Sequence, residues 1–299
     1  MQHDAIIIGG SFAGLSAATQ LARARRNVLV LDAGEPRNRF ADHSHGFLTQ
    51  DGSTPQAIRE EARRQLAAYP TAAVFETLAV NAVATGEGFE VATNGGRTFA
   101  TRKLILATGI RDTLPAVPGL AELWGRRVLH CPYCHGYEVA GGVLGVLAAG
   151  PTALHQAILV AEWGDVTLFG NGAFEPDNEQ VAQMQERKLR FERAPVVAVD
   201  ERSGEGGLTV VLSDGRSARL DALFTAPRTS MASPLAEQLG CAFGDGMMGP
   251  FIKVDERQRT TVPCVYAAGD AARPSHNIAL AVADGAWAGI CAHQSLVFE

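Results

Sequence analysis

Short apolar runs alternate along the chain with stretches of helical spacing, which predicts α/β layers built on parallel sheets. The first unit is the clearest. Residues 5–8 are continuously apolar and predict a buried strand, a glycine turn follows, and residues 14 to about 25 have helical periodicity. Residues 27–31 predict the next strand, which ends at Asp32. A second unit of the same kind begins near Gly142. Residues 143–147 predict a strand, Gly150-Pro151 a turn, 152–163 a helix and 165–169 another strand. Two such starts, about half a chain apart, imply two dinucleotide-type domains. The pattern then returns to the first domain: residues 265–268 predict a strand, Gly269-Asp270 break it, and 277–295 read as an Ala-rich helix. Residues 114–119 and 243–246 predict the two crossings between domains.

Composition changes this picture in three ways. At 299 residues and 46% hydrophobic content the chain can fill two cores. With 26 Lys and Arg against 32 Asp and Glu, the net charge of −6 argues against a nucleic acid or an anionic membrane as partner. The start, MQHDAIIIGG, has no Lys or Arg before a very short apolar run, too little for a signal peptide or a membrane span, and predicts a cytoplasmic location. Of five cysteines only Cys131 and Cys134 form a close pair. Cys241, Cys264 and Cys291 are expected to pack in the core. A disulfide scaffold is unusual in a chain this large, so the pair is expected to be catalytic or metal-binding.

The first turn, Gly9-Gly10-Ser11-Phe12-Ala13-Gly14, follows a strand and opens a helix, with Asp32 lying 23 residues after Gly9 (32 − 9). Backbone N–H groups and the dipole at a helix start hold a pyrophosphate. Glycines let the chain approach it, and the acid accepts hydrogen bonds from a ribose. Ser11 stands where the G-x-G-x-x-G pattern has its second glycine, and serine is small enough to be tolerated there. A tight turn without a ligand is the plainer alternative.

The segment His130-Cys131-Pro132-Tyr133-Cys134-His135-Gly136-Tyr137-Glu138 carries the second candidate chemistry. A Cys-x-x-Cys pair can close a disulfide across one helical turn, and a helix N-terminus favours the thiolate. His135 can act as base or acid. Half a zinc site is the alternative, with His130 or His135 as added ligands. A structural zinc site needs a second ligand pair at motif spacing, and the sequence has none, so no metal is expected.

Two further strand ends add to the first turn: residues 104–106 run into Ala107-Thr108-Gly109, and Tyr266-Ala267-Ala268 into Gly269-Asp270. Glycine turn, Ala-Thr-Gly, Cys-x-x-Cys, second glycine turn and Gly-Asp occur in the order found in thioredoxin-reductase-like flavoproteins, which the chain resembles over nearly its whole length. That resemblance implies two Rossmann-like, three-layer α/β domains, the first discontinuous. Residues 1–115 and 245–299 would bind FAD, and 116–244 would form the central NAD(P)-binding-like domain with the cysteines. It implies FAD contacts at Gly9, Ser11, Ala13, Gly14, Asp32, Ala107, Thr108, Gly109, Gly269 and Asp270, the last two beside the ribityl and flavin, and at Asn277, with His276 next to it. It makes Cys134 the flavin-proximal thiol and Cys131 the interchange thiol, and it implies a homodimer. The family typically has Asp after the second cysteine; here His135 stands there.

The second glycine turn departs further. Ala148 occupies its first glycine position, Gly170-Asn171-Gly172 follow the next strand where NADPH-binding members place arginines, and no Lys or Arg occurs from Val128 to Glu186. A dianionic 2′-phosphate without a nearby cation binds weakly. A distant Arg187 or Arg228 swinging in is the alternative. These segments, Cys131 to Glu138 and the stretches 37–40 and 43–48 resemble the dithiol oxidases that close disulfides in gliotoxin, holomycin and romidepsin. That branch implies an enzyme taking electrons from a small-molecule or peptide dithiol through Cys131 and Cys134 and passing them by FAD to oxygen, giving peroxide, with His135 moving protons. The alternatives are an NADPH-dependent disulfide reductase and a non-catalytic flavin- or zinc-binding regulator. His43 and His45 stand open between a substrate cleft and a plain loop. Trp124, Trp163 and Trp287 are expected to pack.

Overall fold

In a computed structural model of the chain, residues 2–202, 204 and 206–299 are described. The chain begins with β1 (His3–Ile8), α1 (Phe12–Arg23), β2 (Val28–Asp32), α2 (Pro55–Leu66), β3 (Ala72–Glu76), β4 (Ala79–Thr85), β5 (Gly88–Thr93), β6 (Thr98–Leu106) and β7 (Ile110–Thr113). It continues with β8 (Val128–Leu129), α3 (Pro132–His135), β9 (Val143–Leu147), α4 (Ala153–Val160), β10 (Asp165–Phe169), α5 (Asn178–Glu186) and β11 (Arg190–Glu192). Next come β12 (Val196–Glu201), β13 (Leu208–Leu212), β14 (Ser217–Leu220), β15 (Ala222–Thr225) and β16 (Arg228–Met231). It closes with α6 (Leu235–Gln238), β17 (Phe243–Asp245), β18 (Pro250–Ile252), β19 (Val265–Ala267) and α7 (Ile278–Phe298).

These elements form two compact units. The first holds Met1–Arg39, Pro55–Arg111 and Thr229–Glu299; the second holds Phe40–Thr54 and Asp112–Arg228. The return to the first unit thus falls between Arg228 and Thr229, well before the 244/245 boundary expected from the sequence. The reason is burial: Leu235 and Ala236 of α6, with Cys241, lie in one core with Leu29, Leu31 and Ile252. The pattern between 229 and 244 is too short and broken to show this. Phe40–Thr54, expected within the first domain, groups instead with the second.

In the first unit a seven-stranded sheet runs β3-β2-β1-β6-β5-β4, with β19 also paired to β6. Strands β1, β2, β3, β6 and β19 are parallel, and β4, β5 and β6 form an antiparallel meander. Alternate strand residues serve two cores, as the period of two requires. Ala5, Ile7, Val28, Val30 and Ile105 face α1 and α7, while Ile6, Ile8, Leu29, Leu31, Leu104 and Leu106 face the other side. Helices α1 and α7 meet through glycine: a Cβ on Gly285 would fall 2.0 Å from the Ala13 carbonyl oxygen, and one on Gly289 2.6 Å from that of Ala17.

In the second unit a five-stranded parallel sheet runs β11-β10-β9-β15-β8. One face packs on α4 and on Met184 of α5. The other packs on the antiparallel β12-β13-β14 sheet through Leu147, Phe169, Leu223, Val199 and Val210.

Cys241 and Cys291 are buried, as expected, but Cys264 is exposed. It precedes β19 at the N-terminal edge of the sheet with φ +65°, in a turn rather than a strand. Trp287, expected to pack, is 42% exposed, and its indole N–H donates to the Glu256 carbonyl at 2.6 Å.

Candidate functional site: a nucleotide edge and a disulfide edge

The parallel register of the first unit brings four chain ends together. Ile8 lies opposite both Leu31 and Leu106, and Leu106 lies opposite Ala267. Gly9, Asp32, Ala107 and Ala268 therefore leave the sheet side by side at its carboxyl edge, the edge where open α/β sheets bind ligands. Each ladder extends one bond further: Gly9 N–H donates to Leu31 O (2.8 Å), Ala107 N–H to Ile8 O (2.9 Å) and Ala268 N–H to Leu106 O (3.1 Å).

The glycines here answer to crowding. Gly9 has φ +108°, and a Cβ on it would lie 2.1 Å from the Ala107 carbonyl oxygen. A Cβ on Gly14 would lie 1.8 Å from the Gly9 oxygen. Ser11 sits at φ −102°, where any residue is comfortable, so a serine in the second glycine position brings no strain. It is the N-cap of α1, yet its side chain caps nothing, and no acid stands in the first turn. The N–H groups that open α1, at Phe12, Ala13 and Gly14, keep their dipole without a side-chain acceptor, which fits a pyrophosphate.

Asp32 is buried beside Gly10. Its Oδ1 accepts from Gly34 N–H at 3.1 Å, and its Oδ2 pairs with Arg63 Nη2. A carboxylate offers about four acceptor positions, so two remain for ribose hydroxyls. Arg63, which also reaches Glu76 at 3.1 Å, lies in no sequence motif.

Past β6, Thr108 and Gly109 continue the same edge, Gly109 with φ +68° and nothing within 4 Å of its would-be Cβ. Past β19, Gly269 (φ +73°) packs on Ala13. Asp270 forms an ion pair with Arg37 at 3.1 Å. Asn277 is the N-cap of α7; its Oδ1 accepts from Leu280 N–H at 2.7 Å, leaving its amide hydrogens for another acceptor. His276 Nε2 lies 3.0 Å from the Arg273 carbonyl. Asp284 has its carboxyl pushed up by burial, which the neighbouring Arg273 opposes.

The cysteines lie in the second unit, after edge strand β8. They are joined as a disulfide, Cα to Cα 5.3 Å, with Cys131 as the N-cap of α3. The segment is anchored from behind: Gln156 of α4 donates to the His130 carbonyl at 2.9 Å. Tyr133 meets Trp163 edge-on at 5.7 Å. Gly136 closes the turn, and a Cβ there would fall 2.8 Å from the Trp163 ring. Trp163 thus packs against the motif.

His135 follows the second cysteine and is half-buried. Burial pushes its pKa below the usual 6.5; Glu138 pulls it up and His45 pushes it down further. His45 arrives from the Phe40–Thr54 segment, its ring 6.4 Å from that of His135 and 6.3 Å from that of His43. Its Nε2 is 3.4 Å from Glu138 Oε1 and its Nδ1 3.6 Å from Asp51 Oδ1. The fold therefore assembles His45, Glu138 and His135 beside the disulfide. The sequence leaves His45 open between a substrate cleft and a plain loop; the fold sets it beside a motif 90 residues later (135 − 45). Among the described residues no group of three or more His, Cys, Asp or Glu is arranged for a metal ion.

The second turn, Ala148 to Thr152, links β9 to α4. It lacks the crowding of the first: nothing lies within 4 Å of a Cβ on Gly150. Arg187 pairs with Glu162 at 3.1 Å and Arg228 begins β16. Arg193 stands at this edge, and Arg216 reaches it through Glu192 at 2.7 Å. Arg193 follows β11, whose Glu192 lies opposite Phe169 at the end of β10. It is bound to Glu175 at 2.8 Å and its guanidinium lies 5.3 Å from the Phe191 ring centroid.

A dinucleotide edge in one unit and a Cys-x-x-Cys disulfide in the other define a flavin-dependent thiol-disulfide oxidoreductase. The chain belongs to the pyridine nucleotide-disulphide oxidoreductase family, whose model matches residues 3–285, and it is an FAD-binding flavoprotein of thioredoxin-reductase type. It is 34% identical to thioredoxin reductase tcpT of Claviceps purpurea, over 99% of this chain and 95% of that protein. It is 32% identical to thioredoxin reductase sirT of Leptosphaeria maculans, over 96% and 92%. Among solved structures, an oxidoreductase from Agrobacterium tumefaciens matches with TM-score 0.94 at 49% identity, over 100% and 99% of the two chains. HlmI matches with TM-score 0.91 at 34% identity, over 99% and 93%. The two named thioredoxin reductases bear out the resemblance to thioredoxin-reductase-like flavoproteins. Among the described residues no helix is long and apolar enough to cross a membrane.

Proposed function

We propose that the chain is an FAD-dependent dithiol oxidase that closes a disulfide in a small-molecule or peptide dithiol, with oxygen as final acceptor. The observation that carries this is the second nucleotide edge: it lacks a close glycine cradle, and Arg193 beside it is paired with Glu175.

A substrate thiolate attacks Sγ of Cys131, the interchange thiol; the Cys131–Cys134 bond breaks and Cys134 leaves as thiolate. The second substrate thiol then attacks the substrate sulfur of the mixed disulfide, and Cys131 leaves. The substrate has lost two electrons and two protons, and the pair is a dithiol. His135, whose pKa burial lowers, accepts a proton from the attacking thiol, and Glu138 and His45 tune how readily it does so. FAD, when bound, supplies the two-electron acceptor that restores the disulfide, and oxygen takes those electrons as hydrogen peroxide. Gly9, Ser11, Ala13 and Gly14 would hold the pyrophosphate and Asp32 the adenosine ribose. Ala107, Thr108, Gly109, Gly269, Asp270 and Asn277 would line the rest of that site. The resemblance adds a homodimer.

The test is oxygen uptake with dithiothreitol in air. Wild type should consume oxygen, and Cys134→Ser should not; no uptake by wild type, or unchanged uptake in the variant, refutes the mechanism. The second reading, an NADPH-dependent disulfide reductase, is favoured by Arg193 standing at the β10–β11 edge. Rapid anaerobic bleaching of the flavin by NADPH would establish it.

A further inference from the structure

We propose that Cys264 and Lys103 form a second, peroxide-responsive thiol site, separate from the Cys131–Cys134 pair. Lys103 lies in β6 and is only 6% exposed. A buried lysine needs a partner, and its Nζ donates to Cys264 Sγ at 3.2 Å. The thiol is exposed where Cys241 and Cys291 are buried, so among these unpaired thiols it is the one solvent oxidants reach. Its backbone, at φ +65°, is held in the left-handed region that glycine or asparagine normally fills. The cysteine is therefore kept in an unfavourable conformation with its sulfur on an amino group. Exposed thiols beside lysine are the ones that oxidise.

The step is the two-electron oxidation of the thiol by hydrogen peroxide. Sulfur attacks one peroxide oxygen, the O–O bond breaks, and Lys103 gives a proton to the departing hydroxide, which leaves as water. The thiol proton then restores Lys103, and Cys264 is left as sulfenic acid. One thiol and one peroxide give one sulfenic acid and one water. The oxidase reading would generate this oxidant, but the site stands on its own geometry and does not depend on that reading.

The experiment uses the flavin-loaded full chain with Cys131–Cys134 oxidised. It is treated with hydrogen peroxide and dimedone, and the rate of adduct formation at each cysteine is read by peptide mass spectrometry. Cys264 should be labelled about tenfold or more faster than Cys241 and Cys291, and faster than the same thiol in urea-denatured protein. Lys103→Met should slow Cys264 about tenfold. Native Cys264 reacting no faster than in urea overturns the site even if Lys103→Met fails to fold. A folded Lys103→Met with the wild-type rate overturns the role of the lysine. Oxygen uptake with dithiols plays no part in the readout, so failure of one reading leaves the other intact.

Discussion

Gly9→Ala and Gly150→Ala, the same change in the two glycine turns, should differ sharply. On Gly9 the new methyl falls 2.1 Å from the Ala107 oxygen and 2.8 Å from its carbon. That is more than an ångström inside a normal contact of about 3.5 Å. Overpacking costs about 1–3 kcal/mol, and placing a side chain at φ +108° adds roughly 1–2 kcal/mol. Both partners are tied to the sheet by the Gly9–Leu31 and Ala107–Ile8 bonds, so neither can yield cheaply. The sum is roughly 2–5 kcal/mol, a drop of roughly 10 °C in Tm for a chain of this size. Loss of flavin should accompany it, because the strain lies on the pyrophosphate turn. At Gly150 nothing lies within 4 Å and φ is not positive, so Ala should change stability by no more than about 0.5 kcal/mol. Thermal unfolding followed by circular dichroism, with flavin release followed by fluorescence, measures both. Gly9→Ala matching wild type, or Gly150→Ala matching Gly9→Ala, would refute the packing argument.

Further outcomes follow from the geometry. The His135 pKa, read from ring NMR or the acid limb of dithiol turnover, should lie below 6.5; His45→Asn should raise it and Glu138→Gln should lower it, and movement in the other sense would break the proposed coupling. Because the unfolded chain takes up this proton first, the contribution of His135 to stability is full above about pH 6.5 and is lost as pH falls from there through the lowered folded value. Gly285→Ala should cost about 2–3 kcal/mol by forcing α7 from α1, and should weaken flavin retention through Ala13, with chemical denaturation as the check. Arg63→Ala leaves the buried Asp32 carboxylate without its cation; discounted for the part exposure of Arg63, it should cost about 2 kcal/mol and lower FAD affinity in a fluorescence titration.

Much of the first site was legible because its parts are local. Gly9 to Gly14 and Asp32 belong to one strand–turn–helix–strand unit, and local spacing fixes where they stand relative to one another. The Cys131–Cys134 pair was legible for the same reason. Arg63, Arg37 and Arg193 were not, since each reaches its carboxylate from an element whose own pattern shows only a solvated charge. The second domain boundary was misplaced because α6 is a single turn whose burial depends on strands far away in sequence.

The sequence by itself determined that two dinucleotide-type α/β units exist, that one carries a redox cysteine pair, and that its second glycine turn is depleted of cations; periodicity, motif spacing and composition are properties of neighbours along the chain. The tertiary structure alone decided that Gly9, Asp32, Ala107 and Ala268 share one sheet edge, because parallel register is set by pairing between strands far apart in sequence. It alone brought His45 to His135, and set an exposed Cys264 on a buried Lys103, since such contacts follow from how sheets and loops pack.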